Sequence, residues 1–186
     1  MTKNTYNELP DNLPVPLDDG ACNHLKGEKI PAIELNSTSG NTINLSKIEN
    51  KVVLYFYPLT GKPGKSLPDG WDQIPGARGC TPQACSFRDH YKELKELDAQ
   101  VFGISTQTSG YQKEVVERLH LPFSILSDSQ LILAKSLKLP LFKVDSMQLN
   151  KRVTLIIHDG IITKVFYPIF PPDKHVDEVI NWLSSN

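Results

Sequence analysis

The stretch GCTPQACSFRD, residues 79–89, decides how this chain is read. Two cysteines, Cys80 and Cys85, stand five residues apart, and a helix begins beside Gly79. Pro82 suits the first helical turn, where its missing N–H has no partner to lose. Ala84, Phe87, Tyr91 and Leu94 then fall on one stripe at helical spacing. Three readings of the thiols compete: a metal site, small buried core residues, and redox chemistry.

Spacing argues against metal. Cys80, Cys85 and His90 form a C-x4-C-x4-H pattern. A five-residue step turns about 140° around a helix axis, so the thiols face nearly opposite sides. Zinc sites use tighter spacing. The core reading suits Cys22, which sits alone in an irregular region, and stays open for Cys85 beside Ala84. Cys80 has a different setting. Free N–H groups and the positive end of the dipole at a helix N-terminus hold an anion, and the thiolate is the reactive form of cysteine. Arg78 and Arg88 stand close in sequence. They either add positive field or are solvated surface charges.

Working outward, 186 residues with 39% hydrophobic and 22% charged side chains are enough for one soluble domain with its own core. A net charge of -1 gives no global attraction to nucleic acid or anionic membranes. The best apolar runs, Val52 to Tyr57 and Val153 to Ile157, are strand-length, far below the roughly 18 residues of a membrane span. The N-terminus lacks the apolar core of a secretory signal, so a cytoplasmic location is expected. Three cysteines make no disulfide framework. In a reducing cytosol a close pair reads as catalytic or metal-binding.

Residues 1–28 read as an N-terminal extension over the surface, and 29–186 as the domain. Ile33 to Leu35 and Thr42 to Leu45 flank a Ser/Gly/Asn hairpin turn. The unbroken run Val52 to Tyr57 reads as a strand buried on both faces. A Pro- and Gly-rich loop at about 59–78 follows, long enough to suggest function. Val101 to Ser105 is the next strand. Ser109 with Gln112 predicts a capping box for a helix carrying Val115, Val116 and Leu119. A short segment at 123–126 and a helix around 131–137, stopped by Pro140, come next. Strands 153–157 and 161–166 join at His158-Asp159-Gly160, and a last helix buries Val176, Val179, Ile180 and Leu183. This order predicts an α/β fold, a mixed central sheet with helices on both faces.

Tyr55-Phe56-Tyr57-Pro58, the double-cysteine segment with Phe87-Arg88-Asp89, and Arg152-Val153-Thr154-Leu155-Ile156-Ile157 together resemble the peroxiredoxins, closest to the Q type or bacterioferritin comigratory proteins. The resemblance spans roughly residues 29–184. It implies a thioredoxin-like fold and a thiol peroxidase that reduces hydrogen peroxide and organic hydroperoxides. It implies Cys80 as the peroxidatic cysteine, Cys85 as the resolving cysteine that closes a Cys80–Cys85 disulfide, and Arg152 as the residue that polarises the peroxide. The implied reductant is thioredoxin or a similar dithiol. No cofactor or metal is implied, and a monomer or homodimer is expected.

The pattern departs in one place. The family runs Pro-x-x-x-Thr/Ser-x-x-Cys, with a hydroxyl at the peroxide. Here Pro58 lies 22 positions before Cys80, so 15 extra residues intervene, and Ala77 stands at the hydroxyl position. Pro58, Thr60 and Thr81 are the candidate substrate-binding residues, and the insertion is a candidate lid or dimer contact. An intact helix holds Cys80 and Cys85 about 7.5 Å apart along its axis. Bridging them therefore requires residues from Thr81 to roughly Arg88 to unwind. Two rivals stand beside the peroxidase: a thioredoxin-like thiol–disulfide oxidoreductase, which usually carries C-x-x-C, and a non-enzymatic redox sensor or binding protein on the same fold.

Overall fold

A computed structural model describes residues 7–186. The hairpin β1 (Glu34–Ser37) and β2 (Thr42–Asn44) comes first, then β3 (Lys51–Phe56). The long insertion follows, carrying one short 3-10 turn at Trp71–Gln73. Helices α1 (Cys80–Asp89) and α2 (Tyr91–Glu96) lead into β4 (Ala99–Ser105), α3 (Ser109–Leu119), β5 (Ile125–Ser127) and α4 (Ile132–Ser136). A second hairpin, β6 (Leu141–Val144) and β7 (Met147–Asn150), precedes β8 (Val153–His158), β9 (Ile161–Phe166) and α5 (His175–Ser184).

Seven strands make one mixed sheet in the order β2-β1-β5-β4-β3-β8-β9. β3, β4 and β5 run parallel, and β8 lies antiparallel beside β3. β3 shows why the sheet is covered on both sides. Val52, Leu54 and Phe56 enter one hydrophobic cluster, and Val53, Tyr55 and Tyr57 the other. Helices α1, α3 and α5 cover the Tyr55 face through Ala84, Phe87, Val115 and Val179. Helix α4 covers the Leu54 face with Leu133 and Ala134. The fold is thioredoxin-like α/β, with helices on both faces of a mixed sheet.

The N-terminal segment does more than lie over the surface. Cys22, Leu25 and Ile30 enter the Leu54-face cluster. Gly27 N donates to Ile162 O and Ile162 N to Glu28 O, which ties the segment to the sheet edge. One local expectation fails. Thr108, rather than Ser109, caps α3, its Oγ1 accepting from Tyr111 N. Gln112 instead turns inward, where Nε2 donates to Ser105 Oγ and Leu126 O. A buried amide finds better partners in the sheet than at the helix end.

Candidate active site

Cys80 is the first residue of α1, and Gly79 is its N-cap at φ 107°, a backbone that side chains avoid. A Cβ on Gly79 would stand 2.5 Å from Pro172 Cγ and 2.8 Å from Leu9 Cδ2, so the glycine answers both conformation and space. The thiol is buried, in the Tyr55-face cluster. Its Sγ lies 3.7 Å from Ala77 O and 3.4 Å from Arg152 Nη2.

Arg152 stands immediately before β8 and is itself buried. Nη1 donates to Gln83 Oε1 at 2.5 Å, one turn along α1 from Cys80. Nη2 also reaches Gly76 O, Ala77 O and Arg78 O, each at 3.2 Å. One guanidinium thus binds the loop before Cys80, the helix after it, and the sulfur. A fixed positive charge lies beside a sulfur that stands at the N-terminal, positive end of α1, an arrangement suited to negative charge.

Cys85 sits half-buried on the same helix, facing a separate open cleft with Pro82 and Asp89. Burial pushes its thiol above the ordinary range, opposed by the positive charge of Arg88. Arg88 also donates to Leu119 O and Asp89 Oδ1, so its field serves Cys85. Arg78 pairs with Asp72 of the insertion. All three cysteines are free thiols. Cys22 lies in the cluster on the opposite sheet face from Cys80, and burial pushes it up to about 12. His90 Nδ1 contacts Ser86 O, and among the described residues no three His, Cys, Asp or Glu side chains converge on one point.

Of the proposed peroxide contacts, Thr81 lines the small cavity over Cys80, and Pro58 makes the buried bend after β3. Thr60 is buried, but its hydroxyl donates to Gln107 Oε1 at 3.1 Å. Its carbonyl accepts from Tyr111 Oη and Gln107 Nε2. Sequence reasoning missed Gln83, although its place three residues after Cys80 puts it on the same helix face. The insertion, expected as a lid or dimer contact, lends side chains to the site. Leu59, Leu67 and Trp71 wall the cavity opposite Cys80.

The chain is similar to known proteins in sequence and in fold. The redoxin family model matches residues 25–180. The chain is 32% identical to the chloroplastic peroxiredoxin Q of Populus jackii over 161 residues, covering 86% of this chain and 68% of that one. It superposes on the crystal structure of peroxidoxin BcpB from Mycobacterium tuberculosis with a TM-score of 0.71 at 29% identity, covering 87% and 98% of the two chains. Xanthomonas campestris peroxiredoxin Q shares the fold, with a TM-score of 0.66 at 16% identity and coverage of 94% and 98%.

Proposed function

This chain belongs to the redoxin family as a peroxiredoxin of the Q type, a thiol peroxidase, and from that premise we propose that Cys80 is the sulfur that attacks the peroxide and Cys85 the one that resolves it. The carrying observation is the buried Cys80 Sγ at a helix N-terminus, 3.4 Å from the Arg152 guanidinium.

The Cys80 thiolate attacks the terminal oxygen of ROOH. An S–O bond forms, the O–O bond breaks, and the departing RO⁻ takes a proton to leave as ROH. Cys80 is then a sulfenic acid. Arg152 holds negative charge on sulfur before the attack and faces the charge moving onto oxygen during it. Thr81 lines the pocket, and Pro58 bends the chain into the insertion that walls it. Thr60 acts one step removed, by holding the start of the insertion through Gln107. In the second step Cys85 sulfur attacks Cys80 sulfur, an S–S bond forms, and the hydroxyl leaves as water. A dithiol protein of the thioredoxin kind then reduces the bridge by exchange.

The closing of that bridge requires α1 to open from Thr81 toward Arg88. Pro82 already lacks a backbone donor, and Gly76 and Gly79, both at positive φ, give the preceding loop freedom. The test is peroxide consumption by the reduced protein with a dithiol reductant. Cys80→Ser abolishes it. Cys85→Ser reacts once and accumulates sulfenic acid. Wild-type-like turnover by Cys80→Ser excludes the assignment.

A further inference from the structure

The cavity over Cys80 offers about 10 Å³ to the centre of a water-sized molecule. Holding one water takes roughly 10–15 Å³ by the same measure. The space over the sulfur therefore matches the O–O unit of the smallest peroxide, and an organic group has to lie toward its open side, against Leu59, Leu67 and Trp71.

Its outer wall is fixed in place. Trp71 is 3% exposed and belongs to a third hydrophobic cluster with Ala77, Val144 and Leu149, against which Leu59 and Leu67 pack. Its ring lies 6.1 Å from that of Phe142 on β6. The insertion is pinned at both ends as well. Arg118 Nη2 donates to Gly61 O at 3.1 Å, and Arg78 Nη1 to Asp72 Oδ1 at 3.0 Å. Ala77 N donates to Ile74 O at 3.1 Å, which closes the insertion onto the Cys80 loop. The β6–β7 hairpin thus holds the wall from behind.

We propose that Leu67 and Trp71 are specificity-determining residues that restrict the Cys80 pocket to hydrogen peroxide and shut out hydroperoxides with bulky organic groups. This rests on the thiol-peroxidase reading. It assigns the 15 extra residues a role in selection, with the β6–β7 hairpin as their support.

The test is the second-order rate of Cys80 oxidation in pre-reduced protein, read by rapid quenching, alkylation and mass spectrometry, with hydrogen peroxide and cumene hydroperoxide compared. Wild type favours hydrogen peroxide by about a hundredfold, and Trp71→Ala or Leu67→Ala lowers that ratio about tenfold by speeding the cumene reaction. A wild-type ratio near one overturns the proposal. So do folded variants that change both rates alike. Leu67 is only half-buried, so Leu67→Ala carries the test if Trp71→Ala does not fold. Cys80 left unoxidised by both peroxides overturns the peroxidase reading itself, an outcome distinct from a lost preference.

Discussion

Arg152 illustrates how much one side chain organises. Its Nη2 faces three loop carbonyls and the Cys80 sulfur, while Nη1 is held by Gln83. A lysine carries the charge but has no planar fork to serve both sides at once. Arg152→Lys therefore slows sulfenic acid formation by about 10²-fold, measured as the second-order rate with hydrogen peroxide. An unchanged rate removes Arg152 from the mechanism. His175 sets a second residue-scale expectation. It is buried, so its Nδ1–H donates to Glu178 Oε2, and Thr154 Oγ1 donates to Nε2. Burial holds its pKa down at about 4, below the ordinary 6.5, while Glu178 opposes the shift. As pH falls below 6.5 the unfolded chain takes the proton first. Stability is full above 6.5 and drains away toward pH 4, by up to about 3 kcal/mol. Denaturant titrations at both pH values show this slope in wild type and its loss in His175→Gln; equal slopes refute it. Cys80 and Arg152 were legible because they sit in short motifs with fixed neighbours. The fate of Thr60 was not, since its partner Gln107 lies 47 residues away in sequence.

Helix α1 carries both thiols and two restraints on its opening. Phe87 is buried and stacks on Tyr55 at a centroid distance of 4.6 Å. Ser86 Oγ donates to Asp173 O at 2.8 Å, just before α5. Removing that bond weakens the wound helix by about 1 kcal/mol. Ser86→Ala accordingly closes the disulfide several-fold faster without changing the peroxide step, as rapid-quench kinetics separates the two. Slower closure contradicts helix opening as the gate. Gly79→Ala also costs stability, from the start of the helix. Its Cβ meets Pro172 and Leu9 inside van der Waals distance, and φ 107° strains any side chain, so a loss of about 1–3 kcal/mol is expected in thermal or denaturant unfolding. The helix start, the central strands and the β1–β2 hairpin were readable from Pro82, the apolar run at Val52 to Tyr57, and the Ser/Gly/Asn turn. The β6–β7 hairpin was not. Leu141 to Asn150 alternates weakly around Asp145-Ser146, and its partners come from the insertion, far away in the chain.

At the scale of the whole molecule, the sheet separates the chemistry. Cys80 packs on one face and Cys22 on the other, so the architecture keeps the third thiol away from the proposed pair. The insertion and the β6–β7 hairpin form a small core of their own around Trp71. Such a unit opens below the global unfolding energy. Native-state hydrogen exchange therefore shows amides of residues 141–150 exchanging faster than those of β3 and β8; equal protection contradicts a separate unit. The central claim is that Cys80 and Cys85 form the redox pair by local opening of α1. Trypsin cuts after Arg78 and Arg88, which leaves both cysteines in the single peptide 79–88. The most direct measurement is mass spectrometry of that peptide after one equivalent of hydrogen peroxide and alkylation. The expected product is peptide 79–88 unalkylated and lighter by two hydrogens, with Cys22 alkylated. Peptide 79–88 carrying two alkyl groups, or a bridge involving Cys22, contradicts the account.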